Sequence, residues 1–173
     1  PDGETGEQTL VKASISGLRS FGLDEKQEYI DRLKDELKVI NSRGFSKYFL
    51  TMKAIADTAT QHMLAGPGRG SAAGSLVAYV LGITQVDPIK YGLLFSRFLR
   101  SDATDYPDID YDVSDAFGLK EILAEEWGET TVVPISNFNT LQLRSLIKDI
   151  GKFYDVPFTE VNAVTGRMVK EAT

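Results

Sequence analysis

Asp108, Asp110 and Asp112 stand at every second position, downstream of a glycine-rich run from Gly66 to Ser75. In an extended segment residues i, i+2 and i+4 point to one side, so the three carboxylates share a face while Ile109, Tyr111 and Val113 take the other. Successive same-side positions lie about 6 to 7 Å apart at Cα. Flexible side chains can close that spacing around two divalent ions held about 4 Å apart, the geometry of two-metal phosphoryl transfer. The run Gly66-Pro67-Gly68-Arg69-Gly70-Ser71, continued by Gly74-Ser75, suits an anion. Glycines let backbone N–H groups approach closely, and Leu76 to Leu81 is predicted to continue as a helix whose N-terminus favours negative charge. Arg69 can add a charge-assisted contact to a phosphate. Together the two motifs suggest nucleotide chemistry.

Each motif has rivals. A P-loop needs Lys after its final Gly, and no Gly-Lys pair occurs in the turn. Gly68-x-Gly70-x-x-Ala73 fits a loosened dinucleotide fingerprint, with Asp87 at roughly the distance of a ribose contact, but Asp87-Pro88 reads better as the N-cap of a helix from Ile89 to Leu99. Glycines that only let two helices pack closely are a further reading. A calcium loop counted from Asp108 would want Gly and Glu where Val113 and Leu119 stand. A glycosidase pair would leave the glycine turn unexplained. A solvated acidic edge strand remains open on local pattern alone.

The elements that must position these motifs are mostly helical by pattern. Residues 1–10 read as loop, and Thr9 to Ser20 as a short helix ended near Gly22. Asp24 reads as an N-cap with Gln27 three residues on, opening a helix in which Tyr29, Ile30, Leu33, Leu37 and Ile40 repeat with helical period. Gly44 reads as its stop. Its other face, with Asp31, Arg32, Lys34, Asp35, Glu36 and Lys38, is predicted to be solvated. Phe45 to Met52 is ambiguous between strand and helix, and Ile55 to His62 reads as helix. His62, the only histidine, offers no metal cluster and reads as structural or exposed. Downstream, Leu119 to Trp127 is predicted as a helix stopped by Gly128, and the β-branched run Thr130 to Ile135 as a strand. Asn139 with Gln142 resembles a capping box for a helix to about Tyr154. Leu143, Leu146, Ile147, Ile150 and Tyr154 form its apolar side, and Arg144, Lys148 and Lys152 a basic stripe at i, i+4 and i+8. A last helix is predicted from Thr159, after Pro157.

The run from Gly66 to Tyr79, then Gly82-Ile83-Thr84, Asp87-Pro88, Leu93-Leu94-Phe95, Arg97-Phe98-Leu99 and Pro107-Asp108-Ile109-Asp110, closely resembles the C-family replicative DNA polymerases, the bacterial DNA polymerase III alpha subunits. Flanking segments fit too: Arg32-Leu33, Glu36-Leu37, Val39-Ile40, Gly44-Phe45 and Tyr48-Phe49-Leu50 upstream, and Asp149-Ile150-Gly151 downstream. The resemblance implies an α+β fold: a polymerase-beta-like nucleotidyltransferase palm, a small mixed sheet with helices, over 1–136, and the beginning of a helical thumb over 137–173. It implies catalytic roles for Asp110 and Asp112, which would hold two Mg²⁺ ions with Asp108 in support. Arg69, Gly70, Ser71, Gly74 and Ser75 would receive a deoxynucleoside triphosphate, and Arg144, Lys148 and Lys152 would contact DNA phosphates. It further implies primer-template DNA, dNTP, other domains of the polymerase and a sliding clamp as partners. The third catalytic carboxylate of the family lies beyond the counterpart of Thr173, so these residues alone are expected not to polymerise. A template-independent nucleotidyltransferase and a non-catalytic nucleotide- or DNA-binding module are the alternatives. Two departures, the connection from Arg100 to Tyr106 and Val113 in place of an aromatic residue, suggest a divergent member such as one from a phage.

The composition bounds these readings. A chain of 173 residues can bury a sizeable core. Its start at Pro1, without Met, suits an excised fragment. No Cys is present, which removes disulfides and thiolate metal sites. Without a signal-peptide pattern or a long apolar run, the chain is expected to be cytoplasmic, with no membrane partner. Net charge is −6, from 19 basic and 25 acidic residues, the wrong sign for affinity resting on phosphate contacts. The chain alone is therefore expected to grip DNA weakly.

Overall fold

The computed structural model describes residues 3–100, 102, 105–136, 138 and 142–168. It divides into two compact units, Pro1–Val132 and Val133–Thr173.

In the first unit, α1 (Gly6–Ser20) opens with a capping box in which the Thr5 hydroxyl accepts from the Gln8 N–H and the Gln8 side chain accepts from the Thr5 N–H. The helix thus starts one turn before the predicted Thr9. Helix α2 (Gln27–Ser42) buries Tyr29, Leu33, Leu37 and Ile40 on one side, and Gly44 follows its end in the left-handed region. Its N-cap is Lys26, without a side-chain hydrogen bond. Asp24 instead lies 3.7 Å from the Arg19 guanidinium. Helix α3 (Ser46–His62) is continuous, so the ambiguous Phe45–Met52 run is helical from Ser46 and sets Phe49 in the core. Short α4 (Leu76–Val80) sits at the centre, with Leu76, Val77 and Ala78 fully buried against α1 and α2. Helix α5 (Ala116–Trp127), capped by Asp115 and followed by Gly128, packs Leu119 and Leu123 beside Ala59 of α3.

The α+β expectation is overturned: among the described residues there is no strand and no sheet, and β pairing is limited to one antiparallel bridge, Ala65 to Val113. The physical reason is the lack of neighbours for the aspartate segment. One neighbour candidate, Phe45–Met52, is helical from Ser46, and the predicted strand Thr130–Ile135 instead turns at Gly128–Thr131 and exposes Val133 and Ile135. The predicted helix Ile89–Leu99 is also absent. Asp87 does cap a turn, accepting from the N–H groups of Ile89 and Lys90 at 3.0 and 3.1 Å and from the Tyr29 hydroxyl at 2.7 Å. Gly92, at φ +62°, then closes that turn, and only a 3-10 turn at Phe95–Arg97 follows.

In the second unit α6 (Leu143–Phe153) and α7 (Phe158–Thr165) pack against each other, with the Gly151 backbone against Val161. The N-cap of α6 is Gln142, without a side-chain bond, and Asn139 lies outside the described residues. Among the described residues no helix is long and apolar enough to cross a membrane.

Gly17 shows how closely α1 meets α4. A Cβ there would fall on the Val80 carbonyl oxygen. A Gly-to-Ala change inside a helix normally stabilises it by about 1 kcal/mol. Gly17→Ala is expected to do the reverse, lowering stability by about 2 kcal/mol through overpacking, as urea denaturation would read.

Candidate functional site

The segment from Pro107 to Val113 keeps the alternation of an extended chain without a sheet around it. Ile109 and Tyr111 pack on the main core, and Tyr111 and Val113 on the cluster between α3 and α5. Asp110 and Asp112 face the other way, their side chains 41% and 55% exposed. Upstream, Tyr106 lies against the rings of Phe45 and Tyr48, at centroid distances of 5.0 and 5.7 Å. The segment is therefore held by its apolar side chains on α3 and α5.

The glycine turn is brought against these carboxylates. Gly66 N–H donates to the Asp112 carbonyl at 2.8 Å, and Ser114 N–H to the Leu64 carbonyl at 2.9 Å. Gly70 has φ +67°, a conformation that favours glycine, and a Cβ on it would lie 2.8 Å from Asp110 Oδ2, the tip of a side chain free to shift. The Arg69 guanidinium reaches across both aspartates, 3.6 Å from Asp110 Oδ1 and 3.4 Å from Asp112 Oδ2. With Arg69 63% exposed, such loose ion pairs are worth less than about 1 kcal/mol each, so the guanidinium can exchange partners readily. Asp108 is exposed nearby in sequence, but among the described residues no group of three or more acidic, His or Cys side chains is arranged to hold a metal. The carboxylate pair is a hard-oxygen donor set. This fits Mg²⁺, which is commonly held by one or two carboxylates and completed by substrate phosphates.

Gly74 and Ser75 stand apart from this group. Ser75 is fully buried, its hydroxyl donating to Glu36 Oε2 at 2.9 Å and accepting from the Ala78 N–H. The first N–H groups of α4, Leu76 and Val77, donate to Glu36 at 2.9 and 3.0 Å. An internal carboxylate thus occupies the anion position at this helix start, ahead of any ligand. Glu36 also accepts from Arg32 Nε at 2.6 Å. The solvated face predicted for α2 is therefore wrong at two places, since Glu36 is fully buried and the Arg32 side chain is only 22% exposed. Burial pushes the Glu36 carboxyl above its ordinary pKa, and the Leu76 and Val77 N–H groups and Arg32 pull against it.

Beside Gly70 and Ser71 opens a cleft of about 490 Å³, with Gly74 on the same wall and Leu93, Leu94 and Arg97 opposite. Arg97 lines this cleft and is not among the predicted site residues, although Arg97-Phe98-Leu99 belongs to the matching sequence. A basic residue two positions beyond an apolar run was the available signal. His62 hydrogen-bonds through Nδ1 to the Thr58 carbonyl at 2.9 Å, within its own helix. In the second unit Arg144 donates to the carbonyls of Thr165 and Met168, both at 2.9 Å, closing the end of α7. The Lys148 ammonium lies 5.9 Å over the Phe158 ring, and Lys152 is exposed.

The family described as Bacterial DNA polymerase III alpha NTPase domain matches residues 8–173. The DNA polymerase III subunit alpha of Staphylococcus epidermidis strain ATCC 12228 is 41% identical over 168 residues, covering 95% of this chain and 16% of the relative. That of Staphylococcus aureus strain MRSA252 is 39% identical over 170 residues, again covering 95% and 16%. The chain therefore spans about one-sixth of the length of the curated relatives it matches.

Glu36→Gln checks the internal anion. It places an amide NH₂ among donors and leaves Arg32 without its counter-charge, so a loss of about 3 kcal/mol or more is expected by chemical denaturation.

Proposed function

Because the chain belongs to the bacterial DNA polymerase III alpha NTPase-domain family, we propose that it carries part of the nucleotidyl-transfer centre of a DNA-directed DNA polymerase. The reaction joins a primer 3′-oxygen to the α-phosphorus of a deoxynucleoside triphosphate and breaks the bond to pyrophosphate. The observation that carries this reading is Arg69 lying across Asp110 and Asp112, with Gly70 packed on the Asp110 carboxylate. A phosphate-type turn and a carboxylate pair, separated in sequence, share one surface.

In this reading Asp110 and Asp112 hold Mg²⁺, with Asp108 in support. Bound there, the metal supplies Lewis-acid chemistry, favouring the deprotonated primer hydroxyl and neutralising phosphate charge. The N–H groups of Gly70 and Ser71 and the Ser71 hydroxyl receive the triphosphate in the cleft, and Arg97 meets it from the facing wall. Arg69 moves from the carboxylates to the phosphates when these arrive. Gly74 and Ser75 act by holding the turn. Lys148 and Lys152 contact DNA phosphates, and Arg144 keeps the α6–α7 pair in place for them. Primer-template DNA, dNTP, other domains and a sliding clamp are the partners, in the cytoplasm. With only two of the carboxylates and a net charge of −6, the 173 residues alone do not extend a primer.

The test uses the intact polymerase. Asp110→Asn and Asp112→Asn are each expected to lower primer extension at least about a hundredfold, some 3 kcal/mol of barrier, with primer-template affinity unchanged. Extension near the wild-type rate would remove the carboxylates from the chemistry. Separately, Lys148→Ala and Lys152→Ala should each reduce the slope of log affinity for DNA against log salt by about 1, without altering sequence preference. An unchanged slope would leave the stripe as a solvated face.

A further inference from the structure

The two walls of the cleft come from separate stretches, Gly70–Gly74 and Gly92–Arg97, and one side chain outside the cleft ties them together. A single terminal nitrogen of Arg32 donates to the Gly74 carbonyl at 2.7 Å and to the Leu93 carbonyl at 3.1 Å. Its Nε is held at the same time by Glu36, whose two oxygens grip Ser75, Leu76 and Val77 just behind the first wall. Where the walls meet they are in contact, since a Cβ on Gly74 would lie 2.8 Å from the Leu94 carbonyl oxygen. Arg32 therefore ties the two stretches together at Gly74 and Leu93 without itself lining the cleft.

We propose that Arg32 is a positioning residue for the triphosphate, setting the width of the cleft by clamping the Gly74 and Leu93 carbonyls. The inference rests on the reading of that cleft as the triphosphate site. The planar fork of arginine is what permits the role. Three N–H bonds leave it in fixed directions, two to the walls and one to Glu36. A lysine carries its charge on one nitrogen and cannot reach all three acceptors from the same stem. Arg32→Lys keeps the charge opposite Glu36 and loosens the clamp.

The test is single-nucleotide incorporation by the intact polymerase. Arg32→Lys is expected to raise KM for dNTP about tenfold, with kcat within about threefold and primer-template affinity unchanged. In an Arg97→Ala background the same change should add little, because the residue it positions is gone. A KM unchanged in Arg32→Lys overturns the inference, as does a full additive effect beside Arg97→Ala. Should Arg32→Lys fail to fold, Gly74→Ala carries the test, because its Cβ meets the Leu94 carbonyl oxygen and displaces the Gly74 carbonyl that Arg32 holds. Raised KM at preserved kcat supports the clamp, and unchanged KM overturns it. Ser71→Ala and Arg97→Ala run in parallel separate the two levels of the argument. If both leave KM for dNTP unchanged, the reading of the cleft fails. If they raise it and Arg32→Lys does not, the role of Arg32 alone fails.

Discussion

The first unit depends on a carboxylate buried in its middle. Removing an ionised Glu from water costs several kcal/mol, and the cost is tolerated only when every oxygen finds strong donors. Glu36 finds four: the Leu76 and Val77 N–H groups, the Ser75 hydroxyl and Arg32 Nε. Those donors would otherwise be unsatisfied. The start of α4 lies in the core, where no water reaches the N–H groups that a helix leaves unpaired. The acid on α2 and the helix start on α4 therefore solve each other's problem, and in doing so fix α2, α4 and the segment before α4 as one body.

This arrangement explains why the glycine-rich run divides into two parts with different work. Its second half, Gly74-Ser75, faces inward, where Gly74 allows the Leu94 carbonyl to approach and Ser75 is bound to Glu36. Its first half faces outward, where Gly70 meets Asp110 and Arg69 spans the two carboxylates. A helix start already neutralised from inside has little field left for a ligand.

The aspartate segment shows that alternation does not need a sheet. Ile109, Tyr111 and Val113 bury one side on helices, and that burial alone directs Asp110 and Asp112 outward. Period-two patterning reports an extended backbone with one buried face. It carries no information on whether that face meets a strand or a helix; the mixed sheet over 1–136 was what the family resemblance implied, and among the described residues helices are found without a sheet.

By itself the sequence determined the amphipathic helices, the extended aspartate segment, the glycine turn and the family, because these are read from local spacing and from motifs tens of residues long. Local signals that went unread, such as Thr5-x-x-Gln8, were present as well. Tertiary structure alone decided the rest. Arg32 and Glu36 look like surface charges in the helical repeat of α2, and only the docking of α4 against them turns the pair inward. The Ile89–Leu99 stretch looks helical until Gly92 takes a left-handed conformation and Leu93 is drawn to Arg32. That Arg69 meets Asp110 and Asp112 depends on the bridge between Ala65 and Val113, a contact between segments far apart in the chain. Such contacts exchange loop entropy for burial and hydrogen bonding across long sequence separations, and no local pattern encodes that balance.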